Sequence, residues 1–248
     1  MIPKIIHYCW FGGKPLPKDA KRCIASWKRY LPDYEIREWN ESNFDVHCNT
    51  YCDQAYEAKK YAFVSDYARF WILYHYGGIY FDTDVEVIRP LDNILKQGAY
   101  MGCETSPTPT NQIILVNPGL GMAMEKTSPL CKEILDIFAG TPFIFPDGRM
   151  NLKTIVYTTT EVLTNHGLQY SPDIQTIDGI TIYPQEYFCP ISVDGDMNVT
   201  TNTYTIHHYA QSWRPSSHVW LRKLILSIGG SKFKRFAASI YYYFKGKK

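Results

Sequence analysis

FVSDYARFWILYHYGGIYFDTDVE, residues 63–86, is the stretch that decides the architecture of this chain. Apolar side chains at helical spacing (Phe63, Ala68, Phe70, Trp71, Leu73, Tyr74) predict a helix over residues 60–76. Gly77-Gly78 stops it, because glycine enters the left-handed conformation that commonly closes a helix. The run IYFDTDVEVI, residues 79–88, then reads as a strand ended by Arg89-Pro90. Asp66 and Arg69 stand three apart on the helix and share a face. Asp82 and Asp84 are separated by one residue on the strand, so both carboxylates can face one site while Thr83 points away.

Outward from this stretch, the pattern is that of an α/β chain. KIIHYC, residues 4–9, reads as a short buried strand, and FGGKPLP after Trp10 as a loop. Residues 18–30 place Ala20, Cys23, Ile24 and Trp27 at helical spacing, and EIREW alternates as a second strand. A β-α-β opening is the usual start of a parallel sheet. Further strands are expected at 100–103, 113–116, ITIYP and TYTIHHY, with helices at 128–138 and 151–166. No internal repeat or linker interrupts the chain.

Composition excludes several classes. Of the 248 residues, 45% are hydrophobic and 20% charged, which is ordinary globular composition and not that of a disordered chain. A net charge of +2 gives no reason to expect nucleic acid as a partner. The seven cysteines are odd in number, irregularly spaced and without a CxxC pair, which fits reduced thiols and a cytoplasmic setting. Cys48 and Cys52 beside His47 lack a second ligand pair at zinc spacing. No signal peptide is expected at the N-terminus, and no stretch approaches a membrane span of about 20 apolar residues.

The carboxylate pair carries the chemistry. Two carboxylates this close repel and raise each other's proton affinity. A divalent cation relieves the conflict, and oxygen ligands suit Mn²⁺ or Mg²⁺. Such a cation can neutralise a diphosphate leaving group. Alone, an Asp-x-Asp is common, and an Asp-x-x-Arg pair on a helix is usually a surface salt bridge of little consequence. The order Ser-Asp-x-x-Arg, helix, Gly-Gly-x-Tyr, Asp-x-Asp is far more specific.

Residues 65–84, SDYARFWILYHYGGIYFDTD, closely resemble the DXD sugar-binding region of glycosyltransferase family 32. That group includes capsular-polysaccharide sugar transferases, the yeast-type initiating mannosyltransferase and, more distantly, the large clostridial glucosylating toxins. The resemblance extends to IPKIIHYCWFGG near the start and to YTIHHYAQSW late in the chain. Between about residues 104 and 200 little matches, and acceptor recognition is expected there.

The resemblance implies a GT-A type nucleotide-diphospho-sugar transferase fold with a single Rossmann-like mixed sheet, and a metal-dependent, retaining hexosyltransferase. Trp10 aligns with the aromatic that stacks on uracil in the toxin relatives, which favours a UDP-sugar donor. Asp66 and Arg69 align with the pair that grips the donor sugar. Asp82 aligns with the acid that contacts ribose or sugar and approaches the metal, and Asp84 with the direct metal ligand. Tyr80 sits where the family often has an aromatic packed against the nucleotide. Trp213, after Ser212, resembles the family's Ser-Trp, whose indole N–H can reach a donor phosphate; a core Trp is the plainer reading.

His207 and His208 end a strand and face opposite sides. One of them is a third metal ligand by the same resemblance, and His207 is preferred because Ile206 then takes the other face. One core and one surface histidine is the plain alternative. His7, on the first strand, reads as a satisfied core histidine. VNPGLG, around Asn117, is either a loop approaching the sugar or a simple turn, and Asp147-Gly148 is a turn. No general base is assigned.

Two other readings remain open at this level. One is a sugar- or nucleotide-binding protein without catalysis on the same fold. The other is a haloacid-dehalogenase-type phosphatase, whose Asp-x-Asp begins with a nucleophile. That motif usually carries Thr or Val where Glu86 stands and lies near the chain start, whereas here it begins at residue 82. The expected division is a catalytic domain over 1–217 and a basic, aromatic segment over 218–248. That segment joins Trp220, Phe233, Phe236 and Tyr241–Phe244 to eight basic side chains, and is expected to lie on the inner face of the cell membrane near a glycan or lipid-linked oligosaccharide acceptor; an ordinary terminal helix packed on the domain with its lysines solvated is the plain alternative.

Overall fold

The opening β-α-β unit forms as its periodicity requires. Strand β1 (Ile5–Cys9) is buried from Ile6 onward and runs parallel to β2 (Glu35–Trp39), with Ile5 opposite Glu35 and Cys9 opposite Trp39. Helix α1 (Lys18–Tyr30) turns Ala20, Cys23 and Trp27 inward, and the Trp27 indole donates to the Val85 carbonyl at 2.7 Å. The structure is a computed structural model and describes residues 1–191 and 196–210. Trp213, the 217/218 boundary and the segment 218–248 lie outside the described residues.

Helix α2 (Thr50–Glu57), which the sequence pattern did not reveal, is capped by Asn49, whose side chain accepts from the Cys52 amide at 2.9 Å. Helix α3 (Tyr61–Tyr76) follows the predicted bounds. Gly77 and Gly78 close it with φ of 63° and 102°, and a Cβ on Gly78 would come within 2.6 Å of the Ile5 carbonyl. Only glycine fits there. The chain enters β3 (Gly78–Tyr80) parallel to β1.

The expected strand 79–88 is not continuous. After Tyr80 the chain turns, with the Val85 amide donating to the Asp82 carbonyl at 3.1 Å. It resumes as β4 (Val85–Val87), which leaves the main sheet and pairs antiparallel with β10 (Thr205–His207). The break is fixed by distant partners: the Gly119 carbonyl takes the Asp82 amide, and β10 pairs with β4.

The remaining elements are α4 (Asp92–Leu95), β5 (Tyr100–Thr105), β6 (Leu115–Val116), β7 (Met122–Met124), α5 (Pro129–Ala139), α6 (Ile155–Asn165), β8 (Gln175–Ile177), β9 (Ile180–Tyr183) and α7 (Gln185–Phe188). The main sheet runs β2-β1-β3-β7-β5-β9-β8, with β6 on β5. It is mixed: β2, β1 and β3 are mutually parallel, β7 is antiparallel to β3 and β5, and β9 runs parallel to β5. One core holds Val64, Phe70, Leu73, Ile134 and Val162; a second holds Trp27, Phe81, Leu91 and Tyr100. β7 reads Met-Ala-Met with all three residues buried, so no alternation marked it as a strand. Helix α6 begins four residues later than expected. All seven cysteines are free thiols. Among the described residues no helix is long and apolar enough to cross a membrane.

His7 is a core histidine, fully buried. The Trp39 indole donates to its Nδ1 at 3.0 Å, so Nε2 carries the proton and donates to the Gly77 carbonyl at 2.9 Å. Burial pushes its pKa down to about 4. The unfolded chain takes up this proton near pH 6.5. The neutral ring's contribution is therefore complete above that pH and is lost as pH falls toward 4. In urea unfolding, the wild type should lose about 2 kcal/mol more than His7→Gln between pH 7 and pH 5. Equal losses in the two proteins would show that His7 does not set this dependence.

Candidate functional site

Four segments from distant parts of the sequence meet at the carboxyl ends of β1 and β3. Helix α3 brings Asp66 and Arg69, both largely buried. Arg69 lies 2.8 Å from Asp66 and 3.3 Å from Asp82, so one guanidinium ties the helix to the turn after β3. Its Nε also donates to the Ser65 carbonyl at 3.2 Å, and its plane lies 4.9 Å from the Tyr80 ring centre. Tyr80 is buried, and its hydroxyl donates to Asp82 at 3.1 Å.

Asp84 faces β10. His207 Nε2 lies 3.1 Å from its Oδ1, and the Ala210 amide donates to its Oδ2 at 2.8 Å. His208 goes the other way, to Glu86 at 2.7 Å. The two histidines do face opposite sides, and it is His207 that reaches the carboxylates. Ligand atoms of Asp82, Asp84 and His207 all lie within 4.8 Å of one another. This donor set fits a divalent cation. Its buried His207 Nδ1 has no hydrogen-bond partner among the described residues. The nitrogen that faces the carboxylates is the other one, Nε2, so the fit of a cation rests on the donor set itself, two carboxylates and one imidazole.

Charge is finely divided over these groups. Burial raises the Asp66 carboxyl to about 7 against the attraction of Arg69. Burial also raises Asp82, with Asp84 adding to the effect and Arg69 and His207 opposing it. For Asp84 burial pushes upward as well, but His207 and the hydrogen bonds from His207 and Ala210 outweigh it and hold the carboxyl at about 2. His207 is raised: burial lowers it, and Asp84 more than compensates. Desolvated carboxylates with shifted affinities around a fixed guanidinium make this cleft the candidate site.

Two contacts were not legible in the sequence. The backbone amide of Ile155, the first residue of α6, is near enough to the Asp66 carboxylate to favour its charged form. Thr154 makes no side-chain cap, and the Asp66 carboxylate stands at the positive end of this helix. VNPGLG is indeed a turn: Asn117 Oδ1 accepts from the Gly119 amide at 2.7 Å and its Nδ2 donates to Glu104 at 2.8 Å. It also approaches the site. The Asp82 amide donates to the Gly119 carbonyl at 3.1 Å, and a Cβ on Gly119 would lie 2.1 Å from Asp82 Oδ2. Glycine here provides room for the carboxylate. Asp147 is a turn residue accepting from the Arg149 amide at 3.0 Å.

Trp10 follows β1 directly. Since His7 pairs with Tyr80 in register, Trp10 emerges beside the turn that carries Asp82. It is partly exposed and its indole donates to the Lys14 carbonyl at 2.5 Å.

Residues 17–101 match the family described as glycosyltransferase sugar-binding region containing DXD motif. Inositol phosphoceramide mannosyltransferase 1 of Schizosaccharomyces pombe is 27% identical over 117 residues, 43% of this chain and 35% of that protein. The chain thus spans about a third of that relative's length. An uncharacterized glycosyltransferase of Acanthamoeba polyphaga mimivirus is 25% identical over 240 residues, covering 90% of this chain and 88% of its own. Among solved structures, a glycosyltransferase involved in the glycosylation of the major capsid of PBCV-1 superposes with a TM-score of 0.52 at 12% identity, covering 85% of this chain and 95% of that one. Residues 17–101 thus carry a glycosyltransferase sugar-binding region with a DXD motif, and they do so on a GT-A fold.

Proposed function

We propose that the chain is a metal-dependent, retaining hexosyltransferase that moves a sugar from a UDP-sugar to a glycan or lipid-linked acceptor in polysaccharide or glycolipid synthesis. The observation that carries this reading is the convergence of Asp82, Asp84 and His207 beside the Asp66–Arg69 pair. A divalent cation held by Asp82, Asp84 and His207 supplies positive charge where the diphosphate departs, and carboxylates joined by one imidazole suit Mn²⁺ better than Mg²⁺. Asp66 and Arg69 hold the sugar hydroxyls so that C1 faces the acceptor. The bond from C1 to the diphosphate oxygen breaks, and the bond to the acceptor oxygen forms on the same face. The acceptor proton leaves on the phosphate, so no side chain is assigned as base. The name of the Schizosaccharomyces pombe relative favours a second reading of the donor, mannose carried on GDP.

Trp10 supports the uridine donor, standing at the end of β1 next to the carboxylate turn. Stacking on a base is worth roughly 1–3 kcal/mol. In a thermal-shift screen of UDP, GDP and ADP with and without Mn²⁺, UDP with Mn²⁺ should raise the melting temperature most, because a ligand stabilises the state it binds. Trp10→Ala should weaken UDP binding about tenfold or more. A larger shift with GDP, or unchanged UDP affinity in the variant, would overturn the uridine assignment. The same screen without metal tests metal dependence.

The place of action we propose is the membrane surface on the cytoplasmic side, supported by the basic and aromatic composition of residues 218–248. The full chain should sediment with anionic liposomes and release in high salt, and a chain ending at Ser217 should stay in solution. Identical behaviour would remove this part of the reading.

A further inference from the structure

We infer that the groove between residues 112–115 and helix α6 is an acceptor subsite that binds a neutral glycan chain; the word acceptor rests on the transferase reading above. The groove is shallow and open, with a volume of about 610 Å³. Its walls carry Ile113, Tyr157 and Tyr170, which are 50%, 57% and 60% exposed. A tyrosine pair offers apolar faces with polar edges, the surface that packs on the C–H face of a sugar while bonding its hydroxyls.

The charge in the groove is balanced. Lys153 and Glu161 pair with each other at 2.5 Å on its rim, and the other polar groups lining it, among them Gln112, Thr164 and Asn165, are neutral. Among the described residues a phosphate or nucleotide would find no unpaired cation there, whereas uncharged hydroxyls find amide and hydroxyl partners.

Both walls lead to the donor-sugar site. Thr160 of α6 accepts from the Val116 amide at 2.9 Å and so fixes one wall to the other. From Val116 the chain passes through Asn117 to Gly119, which packs on Asp82. Helix α6 begins at Ile155, whose backbone amide lies beside the Asp66 carboxylate. Tyr157, Glu161 and Thr164 lie at helical spacing on the groove side, and the helix from Ile155 to Thr164 is about 14 Å long. A chain of a few sugars laid along α6 would therefore have one end at the groove mouth and the other directed at the donor sugar.

Saturation-transfer NMR of the full chain against neutral tetrasaccharides of glucose, galactose, mannose and N-acetylglucosamine tests this. At least one should bind in the millimolar range. Tyr157→Ala and Tyr170→Ala should each weaken that binding about five- to tenfold, with unchanged melting temperature because both rings are exposed. Binding that survives both substitutions, or no binding of any tetrasaccharide to the wild type, would overturn the subsite. Hydrolysis of UDP-hexose by the same proteins with Mn²⁺ is read separately. It should be equal in wild type and variants. Its absence from the wild type would count against the transferase reading, not against the groove as a carbohydrate site.

Discussion

Asp84→Ala is expected to lower Mn²⁺-supported sugar transfer about 10²- to 10³-fold, the effect of deleting one preorganised charged group from a site where charge develops. Of the two DXD carboxylates, Asp84 is the more firmly anionic. Burial alone would push its proton affinity up, but His207 and the amide of Ala210 hold it near 2. Asp82 shares its charge with Arg69 at 3.3 Å and with the Tyr80 hydroxyl at 3.1 Å. The fold should survive the change. The Asp84 side chain is 18% exposed, and His207 can shed its proton once its counter-charge is gone, which limits the cost to about 1–3 kcal/mol. Asp84→Asn keeps the volume and the bond from Ala210 but not the charge, and should lose activity equally. Turnover and Mn²⁺ titration, with the melting temperature as control, check both variants. Near wild-type turnover in either would remove Asp84 from the metal site.

Gly119→Ala is expected to cost about 10² in kcat/KM while changing stability little. The added Cβ would lie 2.1 Å from Asp82 Oδ2, 2.9 Å from its Cγ and 3.0 Å from Asn117 Oδ1. Gly119 is not among the glycines with positive φ, so the alanine backbone is unstrained and the conflict is one of space. The folded chain relieves it by rotating the Asp82 side chain, which is cheap for stability. For the site it is costly: rotation breaks the contacts to Tyr80 and Arg69 and moves a carboxylate by about 1 Å, a displacement that can cost 10²-fold. Gly140→Ala is the control. It has an ordinary φ of −86° and no neighbour nearer than 3.6 Å, so it should be silent. If Gly119→Ala keeps full activity, Asp82 is not held where the reaction needs it.

Much of the site was legible before any coordinates. Asp66 and Arg69 share a face because three residues on a helix nearly complete a turn, and the structure pairs them at 2.8 Å. The alternation of Asp82 and Asp84 predicted a common direction, and both do join one donor set. The physical premise differs, though, since the chain turns at Asp82 and the two residues are not on one strand. Their convergence comes from Arg69 and Gly119 on one side and His207 on the other.

By itself the sequence determined the β-α-β opening, helix α3 with its glycine stop, and the two acidic pairs, because each is a local matter of periodicity, backbone freedom or spacing. The tertiary structure alone decided where the strand after Tyr80 breaks, that Met122–Met124 enters the sheet between β3 and β5, and that His207 rather than His208 meets Asp84. It also decided that Asp66 stands at the start of the helix beginning at Ile155 and that Gly119 makes room for Asp82. These contacts join residues 23 to 123 positions apart. No short-range pattern encodes them, because the burial and hydrogen bonding that enforce them exist only once the whole sheet and its helices have packed.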